Sequence, residues 1–165
     1  METKKIVTRE NTLTDELQAT VVKKHKGITL AYTESYYLDY EVDDESGMID
    51  KSKTIKHYTK NQVERNLKAL RNAYLIAKGA AAPSEIINFR TKYQISASLF
   101  SVILGFSKNT ISNIENEGIT SLSSGRLIKM CLENRTLINE YVQLCDAIDS
   151  AKKEEISKRL MDEAG

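Results

Sequence analysis

The first regular pattern along the chain is an alternation. Within residues 17–42, Thr20, Val21 and Val22 lead into a polar turn, Lys24-His25-Lys26-Gly27, after which Ile28, Leu30 and Tyr32 alternate with Thr29, Ala31 and Thr33. A period of two is what a half-buried strand requires, and two such runs around a Gly-containing turn predict a hairpin. A second alternating run, Tyr36-Tyr37-Leu38-Asp39-Tyr40-Glu41-Val42, is rich in aromatic residues that fit a pleated surface, so it predicts a further strand. The segment Asp43-Asp44-Glu45-Ser46-Gly47 predicts a polar loop.

From Asn61 the period changes. Val63, Leu67, Leu70, Tyr74 and Leu75 recur at threes and fours with charged residues between them, which predicts an amphipathic helix ending near Lys78-Gly79. The run Gly79-Ala80-Ala81-Ala82 marks a domain boundary, and Pro83 sits where the first turn of a helix tolerates it. Beyond it, short helices alternate with capping signals. Pro83 and Ser84 open one in which Ile86, Phe89, Arg90 and Tyr93 share a face; Ser96 caps a second over 97–104, broken by Gly105. Ser107 caps a third over 108–116, ending at Gly118, and a three-residue Gly-containing turn joins the last two in a helix-turn-helix arrangement. From 135 onward the chain continues helically. Leu137, Ile138, Tyr141, Val142, Leu144, Cys145 and Ile148 form a broad apolar stripe that would bury against its own domain or against a second copy. The expected class is therefore α+β: a β-rich domain over 1–60, a connecting helix over 61–79, and an all-α domain with a helical extension over 80–165.

Charge narrows the chemistry. Twenty-four Lys+Arg against 23 Asp+Glu leave a net charge of +1, so a basic field over the whole molecule is excluded and any DNA binding must come from local placement. No run approaches the roughly 18 apolar residues of a membrane helix. The first ten residues hold no secretory pattern, so a cytoplasmic location without a membrane partner is expected. Cys131 and Cys145 form no CxxC, and His25 and His57 sit in polar sequence away from them; no metal and no cofactor are expected. Six acids between Asp39 and Asp50 lack the spacing of a calcium loop. An enzyme finds no support either, because no Ser/His or Cys/His pair, phosphate-cradling glycine loop or apolar carboxylate pair stands out.

The third short helix carries the candidate chemistry. Ile111 and Ile114 would bury on one side, leaving Asn109, Asn113 and Asn116 at i, i+4 and i+7 on another with Ser112 beside them. Asn is a mediocre helix former, so an amide row is unexpected on stability grounds, whereas an amide can pair in a bidentate way with adenine. Asn109, Thr110, Ser112, Asn113 and Asn116 are thus candidate base contacts, and Ser96, Ser98, Ser107 and Lys108, at the helix starts, candidate phosphate contacts. A merely solvated face is the plain alternative.

These residues carry a resemblance. Pro83-Ser84-Glu85-Ile86, Phe89-Arg90-Thr91-Lys92-Tyr93-Gln94-Ile95-Ser96, Phe100, Leu104-Gly105 and Asn109-Thr110-Ile111-Ser112-Asn113-Ile114-Glu115 resemble the Xre-type (lambda-repressor-like) helix-turn-helix of MqsA/YgiT-type antitoxins. The stretch Asn66-Leu67-Lys68-Ala69-Leu70-Arg71-Asn72-Ala73-Tyr74 is similar to the helix that precedes that domain in the family. The resemblance implies a cytoplasmic homodimer that binds a palindromic operator in its own promoter and regulates its transcription, with a toxin protein bound by the N-terminal domain in a type II toxin-antitoxin system. It implies that Asn109 contacts a base, that Asn113 replaces a base-contacting Arg, and that Arg90 and Glu115 form a structural pair. Ala97 stands where many relatives carry a phosphate-contacting Gln. The family's N-terminal domain binds zinc through two CxxC pairs; this chain has none, so a metal-free version is expected. From a different class, the chain would be a protein–protein interaction module that uses its acidic β-rich domain and has a helix-turn-helix that does not bind DNA.

Overall fold

The computed structural model describes residues 3–162. It is mixed α+β, with small antiparallel sheets followed by seven helices, and it divides into two compact units between Tyr74 and Leu75.

In the first unit, β1 (Lys5–Val7) pairs antiparallel with β2 (Leu13–Asp15). The strands β3 (Leu17–His25), β4 (Ile28–Val42) and β5 (Ile49–His57) form an antiparallel sheet in that order. β3 and β4 are joined by Lys26 and Gly27 at φ 48° and 81°. Two successive left-handed residues match the twist of the flanking strands, and Gly at the second position adopts that conformation without a Cβ penalty. The register places Val21 opposite Tyr32 and His25 opposite Ile28. The separate strands expected at 28–33 and 36–42 are one continuous β4. Its first half pairs with β3 and its second with β5, so each half finds partners for its backbone groups. β5 and the short β1–β2 pair were not expected. β5 is largely exposed and reads Ile-Asp-Lys-Ser-Lys-Thr-Ile-Lys-His, without apolar alternation.

The first part of α1 (Lys60–Ala77) meets this sheet through side-chain hydrogen bonds. Asn66 accepts the Ser35 amide at 2.8 Å and donates to the Ser35 carbonyl at 2.9 Å, pairing with β4 as a neighbouring strand would. Glu16 is nearly buried and accepts from Gln62 at 3.1 Å and from Arg65 Nη1 at 3.1 Å. The Arg65 guanidinium, followed by the Gln62 amide, holds the Glu16 carboxyl below the usual glutamate range. Buried Tyr37 stacks on His57 with ring centroids 5.7 Å apart.

The second unit packs α2 (Pro83–Tyr93), α3 (Ala97–Ile103), α4 (Thr110–Glu117), α5 (Leu122–Glu133), α6 (Arg135–Leu144) and α7 (Ser150–Met161) around one core. Ile86, Phe100, Ile111, Ile128, Cys131, Ile138, Val142, Ile156 and Leu160 are fully buried there. Helices of this length are marginal alone, so the core holds them. The helical tail is two helices, interrupted where Cys145 closes α6 and Asp149 caps α7 by accepting the Lys152 amide at 2.8 Å. Its apolar stripe packs into its own unit. Cys131, Ile138, Val142 and Cys145 are enclosed there, leaving Leu144 as the stripe's exposed side chain at 76%. Of the two alternatives for the stripe, these four side chains take the first, burial against their own domain.

Gly125 lets α5 approach the chain after α1 closely. A Cβ there would lie 2.5 Å from the Ala80 Cβ, while the Gly125 carbonyl accepts the Ala81 amide at 3.0 Å. Gly125→Ala should therefore destabilise the protein by about 1–3 kcal/mol through overpacking despite alanine's better helix propensity. The urea midpoint would fall; an unchanged or higher midpoint would show that the backbone yields. Glu16 gives a pH dependence. Its folded pKa is depressed, so its contribution is present above the ordinary glutamate value near 4.5 and is lost as pH falls through the folded value. Melting followed by near-ultraviolet circular dichroism should show a declining midpoint below that value, with a shallower decline in Glu16→Gln.

Candidate functional site

The site is built on α4, whose sequence divides its residues sharply. Ile111 and Ile114 are buried in the core, while Asn109, Asn113 and Asn116 are exposed on a row about one helical stripe wide. Thr110 and Ser112 are half-buried beside the row.

The approach to α4 differs from the expected three-residue turn. α3 ends at Ile103, Gly105 follows at φ 85°, and its amide and that of Phe106 return to the carbonyls of Val102 at 3.0 Å and Ser101 at 2.9 Å. This is a Schellman closure, with Phe106 packed against the core. The connection runs over 104–109, and α4 starts at Thr110 rather than at Lys108. The reason is local. The Thr110 amide bonds the Ser107 carbonyl at 3.1 Å and the two hydroxyls meet at 2.9 Å, making a tight turn over Lys108 and Asn109. Ser107 thus orders the turn and is not the helix cap. Asn109 occupies the cap position, yet its side chain makes no capping bond.

That bond comes from elsewhere. Ser101 on α3 is fully buried; its hydroxyl donates to the Ala97 carbonyl at 2.8 Å and accepts the Ile111 amide at 2.9 Å. An amide in the first turn of α4 is therefore satisfied from below, as a cap side chain would satisfy it. Sequence reasoning missed Ser101, although its place on the stripe 97, 101, 104 was a signal that a polar group faces the core. At the other end of α4, Arg90 reaches Glu115 with Nε–Oε1 2.8 Å and Nη2–Oε2 2.9 Å, and also donates from Nη1 to the Ile95 carbonyl at 3.1 Å. The pair is largely buried, with side-chain exposures of 19% and 6%.

The other singled-out residues fall as follows. Ser96, Ser98, Ser107 and Lys108 are exposed around the starts of α3 and α4. Ser96 caps α3 by accepting the Leu99 amide at 3.1 Å. Ser112 donates its hydroxyl to the Asn109 carbonyl at 3.0 Å, and Thr110 shares its own with Ser107, so neither hydroxyl is as free as the amides. Ala97, half-buried, places only a methyl group at the start of α3.

Elsewhere the chemistry is structural. Both cysteines are free and buried, and burial pushes the Cys131 thiol up to about 11, away from nucleophilic use. Among the described residues no group of His, Cys, Asp or Glu could hold a metal ion. The residues do not fit a zinc site of the CxxC kind, since both cysteines belong to the core of the second unit. The acidic loop forms an open depression, where Asp43 accepts the Glu45 amide at 2.8 Å and Asp50 the Ser52 amide at 3.0 Å, so these two carboxylates hold the local backbone. No helix of the described residues is long and apolar enough to cross a membrane. No protein-family model, curated protein or solved structure matches the chain.

Ser101→Ala should expose the dependence of α4 on α3. Removing the hydroxyl leaves the Ile111 amide buried and unpaired, at a cost of about 1–3 kcal/mol. Hydrogen exchange at Ile111 should accelerate; unchanged exchange there would show that another group satisfies it.

Proposed function

We propose that the chain is a sequence-specific regulator of transcription that binds double-stranded DNA through α4. In this proposal α2 to α5 form an Xre-type domain of the MqsA/YgiT kind, with α3 and α4 as the helix-turn-helix. One observation carries it: the amides of Asn109, Asn113 and Asn116 are exposed in a row on a helix anchored from beneath by Ile111, Ile114, Ser101 and Glu115. A rigid helix presenting amides suits the major groove, where each base pair displays its own donor and acceptor pattern. Ser96, Ser98, Ser107 and Lys108, around the two helix starts, would meet phosphates and set the position of the protein on the duplex.

A short helix offers few base contacts, so a homodimer on a palindromic site, with half-sites one turn apart, completes the proposal. The operator would lie upstream of the protein's own gene, making the regulation autogenous. An antitoxin role extends it: the first unit would supply the surface that meets a toxin. Support for that extension is the set of exposed apolar side chains that it carries, among them Val22, Leu38, Val42, Ile49, Ile55 and Leu67.

A mobility shift with DNA from upstream of the gene, against scrambled competitor and in rising salt, tests the proposal. Wild-type protein should shift the native fragment selectively and lose affinity as salt rises. Asn109→Ala and Asn113→Ala should each weaken binding by about 1–3 kcal/mol while leaving the unfolding midpoint unchanged, because both side chains are exposed. Equal binding by the variants would sink direct readout by α4.

A further inference from the structure

We infer that the exposed face of α4 selects A·T base pairs, with Asn109 and Asn113 each taking the Hoogsteen edge of an adenine. The inference rests on the DNA-binding proposal and adds which bases are read. It follows from what α4 presents and what it withholds. Between Ser96 and Glu117 the only cation in the sequence is Lys108, which lies in the turn before α4. Guanine shows two acceptors in the major groove, N7 and O6, and is recognised by the donor forks of Arg or Lys. α4 itself carries neither residue. Adenine shows one acceptor and one donor, N7 and the N6 amino group, which one carboxamide satisfies with its own donor and acceptor.

The neighbouring groups that would blur this preference are engaged. The Ser112 hydroxyl donates to the Asn109 carbonyl, and the Thr110 hydroxyl meets that of Ser107. Glu115, an acid that could accept from cytosine N4, is turned inward by three bonds from Arg90. Asn109 would normally spend its oxygen on its own helix as the cap residue. Because Ser101 takes the Ile111 amide, that oxygen stays available. Asn109 and Asn113 are four residues apart, about 6 Å along the helix. Base pairs rise about 3.4 Å, so two amides would fall about two base pairs apart when α4 follows the groove.

The experiment selects duplexes from a randomised library with the full-length protein, then replaces each enriched adenine by 7-deazaadenine, which lacks the N7 acceptor. The expected result is half-sites with A·T pairs at the read positions. Wild-type affinity should fall about tenfold on N7 deletion. Asn109→Ala and Asn113→Ala should each become insensitive at one adenine, and Asn113→Arg should move the preference there to guanine. Guanine enrichment at those positions by the wild type, or tolerance of 7-deazaadenine, overturns adenine readout while leaving DNA binding intact. Failure to enrich any duplex overturns the DNA-binding proposal and this inference with it.

Discussion

A buried serine hydroxyl must find partners for its proton and for its oxygen, and Ser101 finds both within the protein. Its proton goes to the Ala97 carbonyl and its oxygen takes the Ile111 amide, tying the middle of α3 to the first turn of α4. Ile111 is fully buried, so water cannot reach that turn from below, and the amide would otherwise be left without a partner. The arrangement removes a duty from Asn109. A residue at the cap position ordinarily turns its side chain onto the helix, whereas here it stays outside. Arg90 does comparable work at the other end by holding Glu115 and the Ile95 carbonyl together. Both ends of α4 are thus secured on its inner side, and Asn109, Asn113 and Asn116 stand exposed on its outer side.

The same economy governs the closures between helices. After α1 ends at Ala77, Gly79 at φ 104° closes it: the Ala80 amide returns to the Leu75 carbonyl at 3.0 Å, and Arg126 Nε donates to the Lys78 carbonyl at 2.8 Å. α2 ends at Gln94 in the left-handed conformation, φ 55°, and the Ile95 amide returns to the Arg90 carbonyl at 3.0 Å. The Gln94 carbonyl is then held by Arg159 from α7 at 2.9 Å. Each closure satisfies carbonyls that a helix end leaves open and directs the next apolar residue inward. Short helices become a unit because their ends, as well as their faces, are tied to other elements.

The β3–β4 hairpin and the start of the helical succession were legible because each rests on a local signal: the Gly27 turn, the apolar residues at threes and fours, Pro83 at a first turn and the cap at Ser96. β5 was not, since its side chains are mostly exposed and its place depends on the backbone groups offered by the second half of β4. α4 starts two residues later than a cap at Ser107 predicts, because a Ser before a helical run reads as a cap when it can equally order a turn. Ser101 escaped notice since its role lies in a contact ten residues away. The Arg90–Glu115 pair entered through the resemblance and not through spacing, because two residues 25 apart carry no periodic signature. The cluster of buried Glu16 and Gln62 with half-buried Arg65 is of the same kind, since Glu16 lies 46 and 49 residues from its two partners.

The charge balance acquires a meaning on the DNA-binding proposal. Cations on a reading face attract any duplex, and that attraction carries no sequence information. Amides contribute only where the base edge matches, since an unmatched amide must give up water without replacement. A face with three amides and Lys108 as its neighbouring cation therefore gains less from random DNA than from its own site, and its discrimination exceeds what its total affinity would suggest. With so few contacts per protomer, that proposal calls for a second copy. Its interface cannot be the buried stripe of Cys131, Ile138, Val142 and Cys145, because those side chains already form the core that holds α4 in place. A surface joining two copies would instead draw on side chains that the core leaves outside, such as Met130 and Leu144, 63% and 76% exposed, so that dimerisation and the anchoring of α4 would not compete for the same residues.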